Sequence, residues 1–318
     1  MAAASSAAEE VLLGPHVLRV LRPAVQEHEQ REQREPQERR RPQPAEPPCA
    51  CFVLHGRGSS ADTPYTASLC ARVRDALAER GPATYVVAFD AANHGRRTVD
   101  AARNAAWADG NRAHAVDMYA QMVEAAQAVS LALDLLPAAL GLPHASFRAA
   151  AVVGVSQGGH AALLVAANEP RVTVCVSFIG CPDCEGLMRG RYAASDLARL
   201  GEPPPAFADL FPPALAALAR RMDATHRVED LRRKAVCMLS GDDDALVPKA
   251  FSEDLARSLA VAGAGPRCSF RSFAGVAHAV SEDMLAEGLA FLARWLPVDA
   301  AAAAAVEAGV SARAPAQL

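Results

Sequence analysis

Short apolar runs rich in β-branched residues alternate with longer amphipathic segments along most of the chain. Six runs predict strands, at residues 50–54, 84–89, 149–155, 172–179, 235–239 and 268–273. Five segments have the period of about 3.6 residues typical of helices, at residues 65–79, 114–135, 160–168, 249–261 and 283–295. This alternation predicts an α/β fold with a mostly parallel central sheet and helices on both of its faces.

The regular alternation stops towards both ends of the chain. Residues 17–21 predict a further strand at the edge of the sheet, next to the strand at 50–54. Residues from about 28 to 48 are almost all Gln, Glu, Arg and Pro, so we expect a disordered or solvated insertion there. After Pro297 the chain is rich in alanine and is not expected to join the core.

The stretch from residue 181 to residue 234 departs from the alternation. It contains Pro203-Pro204-Pro205 and Pro212-Pro213 together with short helical pieces. It predicts a helical cap inserted between two strands, at the end of the sheet where ligands bind in α/β folds. A surface excursion unrelated to a site is the alternative, because long ordered loops are often but not always functional.

Composition limits the partners and the compartment more than it limits the fold. The 318 residues carry 32 Lys and Arg and 36 Asp and Glu, a formal net charge of −4, which does not indicate a nucleic-acid partner. No apolar run approaches the roughly 18 residues of a membrane span. The start, MAAASSAAEE, lacks the basic region and apolar core of a signal peptide. We therefore expect a cytoplasmic protein with reduced cysteines, and the oligomeric state stays open.

The motif Gly154-Val155-Ser156-Gln157-Gly158 lies between a predicted strand and a predicted helix. A serine on such a sharp turn is raised above the sheet, and the flanking glycines let neighbouring backbone approach without a Cβ clash. Ser156 is therefore the candidate nucleophile of a nucleophile elbow. An ordinary glycine-rich turn is the alternative, because short motifs of this kind also arise by chance.

A serine nucleophile needs a base, and in this arrangement the acid and then the histidine follow the serine along the chain. His278 follows the last predicted strand through a short loop, where the base is expected. His160 lies one helical turn beyond Ser156, on the wrong side for proton transfer, and His226 lies in the predicted cap. The sequence therefore favours His278 as the base.

Three consecutive aspartates, Asp242, Asp243 and Asp244, follow the strand predicted at residues 235–239. The spacing Gly-x-x-Asp-x-x-Val-Pro selects Asp244 as the acid that orients His278 and stabilises its charged form. We expect the other two aspartates to cap a helix or to form the turn.

Acyl transfer also requires two N–H donors for the oxyanion that develops on the carbonyl oxygen. The backbone of Gln157, at the start of the helix, is one candidate. The other is the backbone of Arg57, in the loop Leu54-His55-Gly56-Arg57 after an early strand. We expect His55 to be a structural hydrogen-bonding residue and not a second base.

These motifs resemble those of the α/β-hydrolase superfamily, over about residues 48–297. Gly-Val-Ser-Gln-Gly-Gly and Gly-Asp-x-Asp-x-Leu-Val-Pro are similar to its acyl-thioesterase and small carboxylesterase branches. The segments at 89–97, 104–118 and 180–183 resemble poorly characterised prolyl-oligopeptidase-like hydrolases of fungi and bacteria. The resemblance implies an α/β-hydrolase fold with the catalytic triad Ser156, Asp244 and His278, and it implies no particular substrate.

The predicted organisation is an N-terminal segment over residues 1–48, an α/β-hydrolase domain over 49–297 with the cap at about 181–234, and a tail over 298–318. Neither a cofactor nor a metal is expected. Cys181-x-x-Cys184 has the spacing of half a zinc site, but no second pair accompanies it.

The segment at residues 93–118 has no obvious part in the triad. It could wall the substrate pocket, with Trp107, His94 and Arg97 as the substrate-binding candidates and with Arg97 or His114 able to bind a carboxylate or a phosphate, although an internal role is favoured. The alternative is that Arg97 forms an internal polar network with His114 and Asp117.

The sequence thus predicts a serine hydrolase that cleaves a small carboxylic ester through an acyl-enzyme. A thioesterase would differ only in the leaving group, so the substrate is a small-molecule ester or thioester. An oligopeptidase is disfavoured, because no propeller domain precedes the catalytic core to restrict access. A non-catalytic ligand-binding protein on the same fold is the competing class. Such proteins often lose a triad residue, whereas this chain has all three.

Overall fold

The computed structural model of the protein describes residues 8–24, 46–79 and 82–296. Eight strands form a single sheet in the spatial order β1-β2-β4-β3-β5-β6-β7-β8. The strands are β1 Glu9–Leu13, β2 His16–Leu21, β3 Cys49–Leu54, β4 Thr84–Phe89, β5 Ala150–Val155, β6 Val172–Phe178, β7 Ala235–Gly241 and β8 Cys268–Phe273. The strands from β3 to β8 are parallel, and β2 runs antiparallel to both β1 and β4.

The six strands predicted from apolar runs are present, with ends that shift by at most two residues. The central strands β3, β5 and β7 are buried along their whole length, which explains why each is a continuous apolar run without alternation. Helices cover both faces of the sheet, so no face of these strands is left for polar residues. The predicted α/β class is confirmed.

The prediction for residues 17–21 is wrong in two respects. They belong to β2, which is not an edge strand, because β1 pairs with it through a tight turn at Gly14, where φ is +58°. β2 also pairs with β4 and not with β3. The edge strand is β1, and its sequence Glu-Glu-Val-Leu-Leu does not predict a strand, since glutamate is depleted from strands.

Nine α-helices occur in the described parts of the chain. They are α1 Pro64–Ala78, α2 His114–Ala139, α3 Gln157–Asn168, α4 Cys184–Ala194, α5 Phe207–Leu210, α6 Pro213–Met222, α7 Val228–Leu231, α8 Ala250–Val261 and α9 Glu282–Trp295. Helices α1 and α9 bury their apolar side chains against one face of the sheet. Helices α2, α3 and α8 do so against the other face.

Local signals fix the starts of two of these helices. Thr63 precedes α1 and its hydroxyl accepts a hydrogen bond from the backbone N–H of Thr66, with Pro64 at the first helical position. Ser281 precedes α9 and accepts from the N–H of Met284 at 3.2 Å. These caps orient the helices that follow β3 and β8.

Helix α2 bears on the expectation that the chain has no membrane span. By length and composition alone it qualifies, because its most apolar window has a mean hydropathy of 1.3. Half of that window is nevertheless buried inside the fold. Its acidic side chains at Asp117, Glu124 and Asp134 each form an ion pair with an arginine. The helix therefore has the contacts of a central core helix.

The four helices α4 to α7 lie between β6 and β7, where the sequence predicts a cap. Apolar residues of this insertion, among them Leu210, Phe211 and Leu215, belong to the same core as α2 and α3. The hydroxyl of Tyr119 on α2 donates to Asp223 at 2.7 Å and ties the end of the insertion to the core. The predicted helical insertion is confirmed. The predictions for the polar stretch up to residue 45 and for the alanine-rich tail lie outside the described residues.

Candidate active site

Ser156 occupies the turn between β5 and α3 in a strained conformation, with φ 55° and ψ −117°. A positive φ is uncommon for a residue with a side chain and marks stored strain. The backbone packs tightly around this turn, because a Cβ at Gly154 would lie 1.9 Å from the carbonyl oxygen of Gly158. The N–H of Ser156 donates to the carbonyl of Phe178 at 2.9 Å. The turn holds the serine hydroxyl at the carboxyl end of the sheet, as the elbow motif predicts.

Ser156, His278 and Asp244 form a continuous hydrogen-bonded chain. The Oγ of Ser156 lies 2.8 Å from Nε2 of His278, and Nδ1 of His278 lies 2.7 Å from Oδ2 of Asp244. Because the Asp244 carboxylate is an acceptor, Nδ1 carries the proton and Nε2 is left to accept from the serine. The Asp244 side chain is fully buried, whereas 24% of the His278 side chain is exposed.

The neighbouring aspartates take other roles. Asp242 pairs with Lys249 at the surface, and the N–H of Asp243 donates to the carbonyl of Val276 at 3.0 Å. Asp244 also accepts from the backbone N–H groups of residues 246 and 247, at 3.0 and 2.8 Å. The structure therefore places Asp244, and neither of its neighbours, against the imidazole.

Two backbone amides beside the serine have no acceptor. The loop after β3 lies against the elbow, because a Cβ at Gly56 would be 3.5 Å from the Cβ of Ser156. Within the described residues, the N–H groups of Arg57 and Gln157 donate to no protein atom. Buried or half-buried backbone donors are nearly always satisfied, so a ligand oxygen or water is expected to accept from them.

His55 and His160 are structural. Nε2 of His55 accepts from the N–H of Ala91 at 3.0 Å, and its Nδ1 donates to the carbonyl of Gly56 at 2.9 Å, which fixes the loop beside the serine. His160 is buried under the elbow, and its Nδ1 lies 2.9 Å from the carbonyl oxygen of Ser156 and 3.2 Å from the backbone nitrogen of Cys181. Burial lowers the pKa of His160 to about 3, so this ring stays neutral.

A chain of side-chain amides, which sequence reasoning missed, supports the elbow from the other side. Gln157 donates to Gln121 at 2.7 Å, Gln121 donates to Asn104 at 2.8 Å, and Asn93 donates to the same oxygen of Asn104 at 2.9 Å. A signal for it exists in the sequence, since Gln121 interrupts the apolar face of α2 and is only 5% exposed. The segment at 93–118 thus braces the elbow through Gln121.

The three substrate-binding candidates are occupied elsewhere. Arg97 forms an ion pair with Glu124 at 2.7 Å and donates to the carbonyl of Asp90 at 2.8 Å. His94 is 2% exposed, and its ring lies 5.3 Å from that of His55. Those contacts make Arg97 and His94 parts of the loop scaffold and not of a substrate-binding surface.

Trp107 is 1% exposed and lies edge-on to His114, with 5.7 Å between ring centroids. The alternative of one internal network is not formed either. Asp117 pairs with Arg103, whereas His114 packs against the indole. Burial, together with the charges of Arg57 and Arg191, lowers the pKa of His114 to about 4.

Comparison with known proteins identifies the fold. A family model described as the Alpha/beta hydrolase family matches residues 51–317. No curated protein matches the chain.

Solved structures resemble it at low identity. TT1662 from Thermus thermophilus has a TM-score of 0.60 at 21% identity, covering 92% of this chain and 98% of that one. Est1E from Butyrivibrio proteoclasticus, solved with ferulic acid, has a TM-score of 0.54 at 13% identity, covering 89% and 96%. An acylaminoacyl peptidase of Pyrococcus horikoshii has a TM-score of 0.56 at 12% identity, covering 91% of this chain but 41% of that one. At these identities the likeness establishes the fold alone.

Proposed function

Because the chain belongs to the alpha/beta hydrolase family, we propose that it is a serine hydrolase that cleaves a small carboxylic ester through an acyl-enzyme. The observation that carries this proposal is the unbroken chain from Ser156 through His278 to Asp244, beside two unpaired backbone amides. A nucleophile, a base, an orienting acid and oxyanion donors are the complete set that acyl transfer needs.

In the proposed reaction, Ser156 Oγ attacks the ester carbonyl carbon while Nε2 of His278 takes its proton. The negative charge on the former carbonyl oxygen is held by the N–H groups of Arg57 and Gln157. The buried Asp244 stabilises the imidazolium, which then protonates the departing alkoxide. In the second step a water molecule attacks the acyl carbon while His278 takes its proton. His278 then returns the proton to the Ser156 oxygen, and the carboxylic acid is released.

Ester cleavage is preferred over peptide cleavage for two reasons. Est1E, one of the similar structures, is solved with ferulic acid, a carboxylic acid of the kind that an ester would release. The acylaminoacyl peptidase has more than half of its length outside the part that resembles this chain. A thioester remains the second substrate class, since it enters the same acyl-enzyme with a different leaving group.

We also propose a cytoplasmic location. All eight cysteines are free thiols and seven of them are buried, as expected where disulfides do not persist.

Covalent labelling tests the proposal directly. A fluorophosphonate probe should label the folded chain at Ser156, identified by mass spectrometry of the modified peptide, and should not label Ser156→Ala. Heat-denatured protein is the control for non-specific reaction, because labelling needs the base in place. Absence of labelling in the folded protein would favour a non-catalytic ligand-binding role, and labelling at another serine would move the active site. A panel of p-nitrophenyl esters and acyl-CoAs then separates ester from thioester substrates.

A further inference from the structure

Two arginines beside the candidate active site have no carboxylate partner within the described residues. Arg57 belongs to the loop after β3 that touches Ser156, and Arg191 belongs to α4 in the inserted cap. Arg97 and Arg171, which lie away from the serine, are instead paired with buried or half-buried acids. The other arginines of the described residues that lack an ion pair, such as Arg112 and Arg233, are exposed, whereas Arg57 and Arg191 are half-buried.

Arg57 contacts only neutral groups. Its Nη1 donates to the carbonyl oxygen of Asn104 at 3.2 Å. Asp109 is the acid whose charge acts on it, but Asp109 is exposed and makes no ion pair with Arg57. Burial lowers the pKa of Arg57, as expected for a charge that has lost water without gaining an ionic partner.

Arg191 also lacks an ionic partner among the described residues. Its Nη2 donates to the carbonyl of Leu246 at 3.3 Å, and its Nη1 lies 3.8 Å from the sulfur of Met118. Its Nε is buried without any acceptor. The carboxylate whose charge acts on it is that of Asp244, which is already bound to His278 and to two backbone amides.

These contacts place both arginines on segments that adjoin the triad. Leu246 follows Asp244 by two residues, so Arg191 is anchored on the loop that supplies the candidate acid. Gly56, which precedes Arg57, touches the serine. The charge of Arg57 lowers the pKa of Arg191, and the charges of both lower the pKa of the buried His114, so the two guanidinium groups act on each other and on a common neighbour. Cap and sheet thus bring two like charges together.

Such an arrangement is costly unless an anion completes it. A buried charge is normally paired, and removing one partner of a buried pair leaves a strongly destabilising group. The guanidinium is the side chain best suited to bind a planar carboxylate through two parallel hydrogen bonds. A carboxylate between the two groups would relieve their repulsion and satisfy the free Nε.

We propose that Arg57 and Arg191 bind a carboxylate of the substrate, so that the ester cleaved is one that bears a second, ionised carboxyl group. This inference rests on the proposed ester hydrolysis and specifies its substrate class. The carboxylate belongs to either the acyl part or the alcohol part, and the arginines recognise the same chemistry in both cases.

Two matched pairs of esters test the inference and separate these sources. Mono-p-nitrophenyl adipate against p-nitrophenyl heptanoate places the charge on the acyl part. 4-Acetoxybenzoate against 4-acetoxybenzamide places it on the alcohol part. In the wild-type protein, kcat/KM for the anionic ester of one pair should exceed that of its neutral counterpart about tenfold or more, and Ser156→Ala gives the background rate.

Single substitutions test whether Arg191 causes the preference for the anionic ester. Arg191→Met should reduce the anionic-to-neutral ratio of kcat/KM by roughly 10- to 100-fold, the loss expected for a charged hydrogen bond. Arg189→Met is the matched control, because Arg189 lies on the same helix but is exposed and paired with Glu185. It should leave the ratio unchanged. Arg191→Lys keeps the charge without the planar fork and should give an intermediate ratio; if Arg191→Met does not fold, Arg57→Met takes its place.

A binding measurement makes the inference independent of turnover. Millimolar adipate should raise the melting temperature of Ser156→Ala but not that of Ser156→Ala combined with Arg191→Met. If the folded protein hydrolyses none of the four esters, the proposed function fails, and adipate binding alone then decides the carboxylate site. If it hydrolyses neutral and anionic esters equally, or if the preference survives in Arg191→Met, the carboxylate inference is wrong and ester hydrolysis stands.

Discussion

The candidate active site contains two sets of charged groups, called its two sides below, and the two sets satisfy their charges in opposite ways. On one side, Asp244 is fully buried and both of its oxygens accept hydrogen bonds, from His278 and from backbone amides. On the other side, Arg57 and Arg191 contact only neutral groups, and one nitrogen of Arg191 contacts no acceptor. Both sides are anchored on ordered elements of the same core.

The difference separates the groups that carry out the proposed reaction from the groups proposed to select the substrate. A group of side chains that satisfy one another needs no ligand to hold its geometry, so the triad can be complete before a substrate arrives. Unpaired charges at the edge of such a group are incomplete without a ligand. The comparison predicts that changes on the first side abolish the reaction, whereas changes on the second redirect it.

Removing the nucleophile is the strongest way to test the first side. Ser156→Ala should lower kcat/KM by about 10⁴-fold or more, because only binding and the oxyanion donors remain. The fold should persist, since a methyl group fits the same turn, and circular dichroism checks this. Near-normal esterase activity in the purified variant would remove Ser156 from the mechanism.

The next effect separates adjacent aspartates. Asp244→Asn should cost about 10³- to 10⁴-fold in kcat, because an amide cannot hold the imidazole in the required tautomer. Asp242→Asn is the matched control, and it should stay within about threefold, because its pair with Lys249 is exposed and weak. Equal losses at the two positions would show that the acid had been assigned wrongly.

A third carboxylate tests the premise that unpaired charge is costly in this core. Asp223 is 5% exposed and accepts only from Tyr119 and from a backbone amide, and burial raises its pKa to about 7. Between about pH 4, where the unfolded chain loses this proton, and pH 7, the folded state binds more protons. Its contribution to stability should therefore fall as the pH rises through that range.

Melting temperatures measure this contribution as a difference. The melting temperature of the wild type minus that of Asp223→Asn should decrease from pH 4 to pH 7 and then level off. Taking the difference removes the acid-dependent loss from other carboxylates, such as Glu169, whose pKa is lowered to about 2 by Arg171. A difference that is flat or that rises over this range would contradict the raised pKa.

The smallest effect is expected for the polar stretch, which supplies no residue to either side. Deleting residues 30–45, a stretch of polar residues, Pro and Ala, should change small-ester activity by less than about twofold. Leu21 pairs with Val86 and Cys49 pairs with Thr84, so the ends to be joined lie across one strand, about 10 Å apart. The deletion spares Glu46, which bonds Arg148. A melting temperature lowered by several degrees would place the deleted stretch against the domain.

Some features of these regions can be predicted from the sequence and others cannot, for a physical reason. Nearly continuous apolar runs identify β3 to β7, because burial on both faces leaves no other pattern, whereas β8 is mostly half-buried. Ser156, Asp244 and His278 can be placed because each follows a strand in a fixed order. The sequence suggests a substrate-binding role for Arg97 because its ion-pair partner Glu124 lies 27 residues away, on α2. No local pattern in the sequence indicates a pair so far apart. The roles of Arg191 and Gln121 depend on how the cap and α2 pack, which spacing along the chain does not record.

The close contact at Gly158 has a consequence for how such a protein can change over time. A Cβ there would lie 2.1 Å from the carbonyl oxygen of Leu54, so α3 and the end of β3 meet main chain to main chain. The amides of Arg57 and Gln157 are carried by these two segments, and the side chain of Arg57 takes no part in this contact. Position 57 can therefore be randomised in a mutant library without dismantling the catalytic centre. A lineage that varied this residue could acquire new substrates by single replacements while its chemistry stayed the same.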